Sequence, residues 1–91
     1  MTFEILFTES YTRRAKRFLR QHPELLGVYE KTLRLLANNP QHPSLHLHKL
    51  GGRLKELHAV SITLSYRMII SFKIMEGQII PVDIGTHDHV Y

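Results

Sequence analysis

The sequence predicts an α+β fold in which an N-terminal helical hairpin packs on one face of an antiparallel-rich sheet. Hydrophobic residues alternate over the first eight positions, recur at helical spacing through two following segments, and alternate again in the last third of the chain. The resulting order is β-α-α-β-β-β. Its last three strands are consecutive, which favours an antiparallel meander covered by the helices. With 91 residues, the chain has room for one domain, spanning residues 1–91.

The N-terminal segment predicts a strand followed by a helix. Phe3, Ile5 and Phe7 fall on one side of an extended segment over residues 2–8. Glu9-Ser10 then predicts a helix start, with a hydroxyl that caps the free N–H groups. The buried face of this helix comprises Tyr11, Ala15, Phe18 and Leu19. Its opposite face carries five cations, namely Arg13, Arg14, Lys16, Arg17 and Arg20. Such a charged face either attracts polyanions or is simply solvated.

A second helix is predicted from Pro23 to about Asn38. His22-Pro23 interrupts the first helix, because proline disfavours helical geometry in the preceding residue and suits the first helical position. The predicted buried stripe of the second helix comprises Leu26, Tyr29, Leu33 and Leu36, and it is widened by Leu25 and Ala37. A break this short predicts an antiparallel pair of helices.

The C-terminal half predicts three strands after a long connection, residues 41–52, that ends in two glycines. The strands are predicted over 53–60, 66–74 and 78–84, with a hairpin turn at Glu76-Gly77. Pro81 inside the last strand predicts an edge position or a bulge. Leu57 would share a face with Arg53 and Lys55, so either a bulge intervenes or that strand starts later.

Composition narrows the function classes. Twelve basic residues outnumber eight acidic ones, giving a net charge of +4 and a pI near 9.7, which suits nucleic acid, an anionic membrane or an acidic protein as partner. The absence of cysteine excludes a disulfide framework, a thiolate zinc site and a cysteine nucleophile. No signal peptide and no apolar run of about 20 residues is present, so we expect a cytoplasmic protein without membrane attachment.

Two places in the sequence carry groups suited to catalysis. Arg67 alternates with the apolar residues of its strand, so it is predicted on the open sheet face, where a guanidinium can bind phosphate or simply keep the surface soluble. His87 and Tyr91 lie in the C-terminal tail, which is either a disordered terminus or the source of a proton-transfer group and a stacking ring. Pairing about the turn predicts Arg67 opposite roughly residue 86, so the three side chains can converge.

The connection over residues 41–52 is rich in histidine, and a basic run follows it. His42, His46 and His48 have no cysteine or carboxylate beside them in residues 41–52, so no metal site is predicted. A second basic run enters the meander and comprises Lys49, Arg53 and Lys55.

Three segments resemble the RelE/ParE superfamily of toxins from bacterial type II toxin–antitoxin modules. They are residues 48–52 (HKLGG) before a strand, 65–70 (SYRMII) in the central strand, and the ending Gly85-Thr86-His87 with Tyr91 four residues after the histidine. The resemblance covers essentially the whole chain, and the ending looks most like the YafQ branch. Arg67-Met68 stands where that branch carries Asp-Trp, while Tyr66-Arg67 resembles the RelE and YoeB branches.

The resemblance implies a metal-independent endoribonuclease, with no cofactor, that cleaves mRNA in the ribosomal A site by attack of a ribose 2′-OH on phosphate. Carried over by position, Arg67 would brace the phosphate, His87 would be acid or base, and Tyr91 would stack on a nucleotide. His48 and His58 match further histidines of the YafQ branch. The expected RNA- and phosphate-binding residues are Lys49, Arg53, Lys55 and Lys73.

The resemblance also implies partners and alternatives. The expected partners are a cognate acidic antitoxin, mRNA and the ribosome, with the toxin–antitoxin complex a higher oligomer. The alternative within the fold is a ParE-like protein that inhibits DNA gyrase by binding, although such members usually lack the tail histidine and its aromatic. A third alternative is a chain that binds RNA or its antitoxin with its activity decayed.

Overall fold

The computed structural model describes residues 2–52 and 56–86, where two helices pack on one face of a mixed five-stranded sheet. The helices are Glu9–Gln21 (α1) and Leu26–Asn38 (α2), and the strands are Glu4–Ile5 (β1), His48–Lys49 (β2), Leu57–Ser61 (β3), Tyr66–Lys73 (β4) and Gln78–Thr86 (β5). The strand order is β1-β5-β4-β3-β2, with β1 parallel to β5 and the other pairs antiparallel. This confirms the predicted α+β class. Within the described ranges, no helix is long and apolar enough to span a membrane.

The capping residue of helix α1 lies two positions earlier in the sequence than predicted. The Thr8 side chain, not Ser10, caps it, because Thr8 Oγ1 accepts a hydrogen bond from the Tyr11 N–H at 3.1 Å. The predicted inner face is confirmed: Tyr11 and Ala15 are buried, and Phe18 packs half-buried against the same core. The five cations of the opposite face are all exposed.

Helix α2 follows a 3₁₀ turn over Pro23–Leu25 instead of starting at Pro23. The tighter turn changes the phase of the helix, so Leu25 is buried and Leu26 is 49% exposed, against the prediction that Leu26 is buried. Tyr29 is buried as predicted, and its hydroxyl lies 2.8 Å from that of Tyr11, which joins the two helices inside the core.

The strands differ most from the prediction in β1, β2 and β3. β3 begins at Leu57 rather than at residue 53, and this later start removes the conflict over the face of Leu57; residues 53–55 lie outside the described ranges. The two-residue strand β2 was not predicted, and it pairs with β3 through His48 opposite Ala59. β1 ends at Ile5, so Phe7 lies beyond the strand and is 51% exposed, whereas Phe3 packs half-buried against the core.

Both alternatives predicted for Pro81 are found in β5. The register between β4 and β5 shifts at Ile70, which lies opposite Pro81, so β5 bulges there. β1 pairs only with Gln78 and Ile79, and Pro81 therefore lies where β5 has no β1 partner to receive an N–H.

The sheet has two unequal faces. The helix-side face carries the main core, whose buried members include Val60, Met68, Ile70, Ile79 and Ile84. We call the other side the outer face; it carries Ala59, Ser61, Arg67, Ile69, Ser71 and Lys73 by strand alternation. A small apolar cluster of Leu50, Ala59 and Ile69 lies on it. The outer face is therefore only partly apolar, and it leaves polar side chains on β4 without a helix above them.

Candidate active site on the outer face of the sheet

Arg67 lies on the outer face near one end of β4. Met68 beside it is fully buried toward the helices, and alternation directs Arg67 to the other side, as predicted. Its neighbours across the sheet are Ser61 on β3 and Gly85 on β5, one residue from the predicted position 86. Gly85, its neighbour on β5, contributes no side chain beside the guanidinium.

The Arg67 guanidinium is partly desolvated. The residue is half-buried and its Nη1 atom is buried. Burial lowers the pKa of Arg67, but an arginine side chain keeps its charge at any physiological pH. A cation with part of its hydration removed attracts an anion more strongly than one in bulk water, so this position suits a phosphate.

The predicted tail residues lie outside the described ranges. β5 ends at Thr86, which pairs with Tyr66, and His87 is the next residue in the sequence. His87 and Tyr91 therefore stay predictions, and the chain enters their segment from a point beside Arg67 and Tyr66.

His48 lies on the same face as Arg67. Its strand partner is Ala59, a member of the outer-face cluster, and two strand spacings, about 9.5 Å, separate β2 from β4. His48 Nδ1 lies 2.9 Å from the His46 carbonyl oxygen. Since a carbonyl oxygen can only accept, Nδ1 carries the proton, and in the neutral ring the lone pair is on Nε2.

His58 lies on the helix-side face, away from Arg67. Its ring contacts Phe72 of the main core with a centroid distance of 5.2 Å, and its Nδ1 atom is buried without a hydrogen-bond partner in the described part of the chain. Burial, followed by the charges of Lys49 and His48, lowers the pKa of His58. The ring is therefore neutral at pH 7, but it is not brought together with Arg67.

The predicted phosphate-binding lysines are spread over the sheet. Lys49 pairs with His58 and lies on its side of the sheet, while Lys73 lies on the outer face at the far end of β4 from Arg67. Arg53 and Lys55 lie outside the described residues. Across residues 2–52 and 56–86, no group of three or more potential metal ligands occurs.

Comparison with solved structures identifies the fold. No family model and no curated protein sequence matches the chain. The structure of YafQ from E. coli BL21(DE3) superposes with a TM-score of 0.80 at 14% identity, covering 98% of both chains. The chain has the fold of the YafQ-type toxins.

Other structures with the YafQ-type fold agree. The RelBE2 toxin–antitoxin complex from Mycobacterium tuberculosis gives a TM-score of 0.77 at 12% identity, over 96% of this chain and 100% of that one. The YoeB/ParE toxin from Agrobacterium tumefaciens gives 0.72 at 15% identity, over 93% and 99%. Activity does not follow from fold alone, so it is argued from the site.

One surface of this YafQ-type fold was not predicted: a groove between α1 and β5. It has a volume of about 560 Å³, and its lining includes Arg14, Arg17, Phe18, His22, Gly85 and Thr86. The spacing of Arg14, Arg17, Phe18 and Gln21 indicates one flank of a helix, but nothing in the sequence shows that β5 lies against that flank.

Proposed function

We propose that this chain is the toxin of a type II toxin–antitoxin module and a metal-independent endoribonuclease that cleaves mRNA on the ribosome. The observation that carries the proposal is the half-buried Arg67 on the outer face. Its neighbour on β5 is Gly85, which has no side chain and precedes His87 by two residues in the sequence. The shared fold with YafQ supports it, because the YafQ structure superposes on 98% of the chain with a TM-score of 0.80.

The reaction proposed is a transesterification within the RNA backbone. The 2′-oxygen of one ribose attacks the adjacent phosphorus, and the bond from phosphorus to the 5′-oxygen of the next nucleotide breaks. The products are a 2′,3′-cyclic phosphate and a 5′-hydroxyl. Negative charge builds on the phosphoryl oxygens in the transition state, and the Arg67 guanidinium offers a planar set of N–H donors to them.

Two protons must move, and we assign each transfer to a histidine. We assign removal of the 2′-OH proton to His48, whose Nδ1 donates to the His46 carbonyl oxygen, and protonation of the 5′-oxygen to His87. His58 receives no proton-transfer role here, because it lies on the helix-side face. Tyr91 would stack on a base of the bound nucleotide.

The proposed partners follow from charge and from the solved complexes. The described part of the outer face carries few potential catalytic groups, so we expect the ribosome to position the message and cleavage of free RNA to be weak. The net charge of +4 suits an acidic antitoxin, and both RelBE2 and DinJ–YafQ were solved as toxin–antitoxin complexes. We further propose that the complex of this chain with its antitoxin is a higher oligomer.

Two parallel assays test the proposal. The purified protein is incubated with ribosomes translating a defined message, and separately with DNA gyrase and supercoiled plasmid. We expect discrete cuts in the message and no effect on gyrase. Gyrase inhibition with an intact message would replace the proposal by the ParE-like alternative, and inactivity in both assays would show a chain that only binds.

A further inference from the structure

Two arginines line the groove between α1 and β5, and they differ in their contacts within the described residues. Arg14 donates to the Val82 carbonyl oxygen at 3.1 Å and lies 3.9 Å from the Asp83 carboxylate, so it braces the uncovered edge of β5. Arg17, one helical turn further, forms no ion pair or hydrogen bond within the described residues, and it is exposed. Its guanidinium is therefore available to an anion in the groove.

The same groove has an aromatic wall. The rings of Phe18 and His22 lie 4.7 Å apart, and Tyr66 contacts both, at 5.3 and 5.0 Å. Phe18 and His22 line the groove beside Arg17. A cation next to ring surfaces matches a nucleotide, whose phosphate pairs with arginine while its base packs on aromatic side chains.

The groove also adjoins the proposed active site. Gly85 lines it and is at the same time the strand neighbour of Arg67. A chain crossing the uncovered edge of β5 at this glycine would pass from Arg67 on the outer face into the groove. The volume of about 560 Å³ lies within the range of small-ligand sites, about 300–1,000 Å³.

We propose that this groove is a binding subsite for a nucleotide of the RNA substrate that flanks the cleaved bond, with Arg17 on its phosphate and the wall of Phe18 and His22 against its base. This inference rests on the proposed endoribonuclease function. RNA is favoured over an acidic peptide because carboxylate side chains would use Arg17 but have no ring to place against the aromatic wall.

The test is a titration of the ¹⁵N-labelled full chain with a short RNA that is 2′-O-methylated throughout and so cannot be cleaved. Amide shifts locate binding, and the dissociation constant is compared among the parent, Arg17→Ala and Arg13→Ala. Arg13 is an exposed cation of the same helix that does not line the groove, so both variants lose one charge.

We expect shifts at Gln21, Gly85 and Thr86. Binding should weaken about tenfold in Arg17→Ala, the size of one charge-assisted hydrogen bond. The slope of log K against log salt should flatten by about 0.7, as for one lost phosphate contact with a single strand. Arg13→Ala should stay close to the parent on both measures.

Three results would overturn the subsite: equal weakening in both variants, absence of shifts at the groove, or hexaglutamate binding there at least as tightly with the same dependence on Arg17. The last result would assign the groove to an acidic peptide. The assay also separates the two proposals. RNA binding in the groove by a protein that leaves ribosome-bound message intact would contradict the nuclease alone, and cleavage that is insensitive to Arg17→Ala would contradict the subsite alone.

Discussion

Arg67 is the only outer-face arginine among the described residues of β3 and β4, and its side chain belongs to neither apolar cluster. Arg67→Ala should therefore leave the fold intact and remove the charge that stabilises the transition state. We expect cleavage of ribosome-bound message to fall on the order of a hundredfold or more.

The matched control is Lys73→Ala, which removes one charge from the same face at the far end of β4. Circular dichroism confirms folding of both variants, and growth arrest on induction gives a second readout. Equal activity of Arg67→Ala and the parent, with both folded, would move the site elsewhere.

His58 gives a prediction about stability and pH. Its pKa is lowered in the folded chain, chiefly by burial, so between the folded value and the unfolded value of about 6.5 the unfolded chain binds more protons. Above the unfolded pKa, His58 therefore has no pH-dependent effect on stability. As the pH falls below that value, protonation of His58 in the unfolded chain lowers the free energy of unfolding.

His58→Gln removes this proton-linked loss, so its urea midpoint should fall less than that of the parent between neutral pH and pH 5. His46→Gln, at an exposed residue that belongs to neither apolar cluster, serves as the comparison. Parallel curves for His58→Gln and the parent would contradict the account of this side chain.

The sequence correctly predicted the face of Arg67, but it did not predict that His48 and His58 lie on opposite faces of the sheet. An eight-residue strand has enough alternation to show which face Arg67 occupies. The faces of His48 and His58 depend on where two short strands begin, and β2 has only two residues. The position opposite Arg67 was displaced by one residue because the turn spans Ile74–Gly77 and β5 bulges near Pro81.

At the scale of elements, the start of α1 depends on one hydroxyl. Thr8→Ala removes the acceptor for the Tyr11 N–H and should reduce the free energy of unfolding by about 1 kcal/mol. Ser10→Ala is the matched control, since Ser10 is an exposed residue inside the helix, and it should change stability by less than about 0.5 kcal/mol. Urea unfolding measures the stability of both variants. A larger loss of stability in Ser10→Ala than in Thr8→Ala would show that Thr8 is not the capping residue.

The two helices show what periodicity can and cannot predict. α1 keeps one phase from Tyr11 onward, and its buried face was predicted correctly. In α2 the preceding 3₁₀ turn has fewer residues per turn, which rotates Leu25 inward and Leu26 outward. A hydrophobic pair at a helix start does not indicate which member is buried when the turn type is unknown.

At the scale of the whole molecule, we expect the proposed antitoxin to cover the outer face. The absence of cysteine allows a single one to be introduced without background labelling. Ser71→Cys places a thiol on the outer face and Lys31→Cys places one on exposed α2. Maleimide labelling of Ser71→Cys should slow several-fold in the complex co-purified from the native operon, while Lys31→Cys labels unchanged. Equal rates at both positions would place the antitoxin on another surface.

The composition gives the net charge of the whole chain, but it does not predict the groove between α1 and β5. Arg14 and Arg17 look equivalent in sequence, and only the packing of α1 on β5 shows that Arg14 is tied to Val82 and Asp83. Long-range contacts of this kind connect residues 68 positions apart, beyond the reach of local patterns.

The most direct test of RNA cleavage by 2′-OH attack uses one altered nucleotide. A cut site is first mapped on ribosome-bound message, and a second message then carries a single 2′-deoxy nucleotide immediately 5′ to the cleaved bond. The proposed reaction has no nucleophile there, so we predict that this cut disappears while cuts elsewhere in the message persist. Cleavage of the same bond at an unchanged rate would contradict the mechanism.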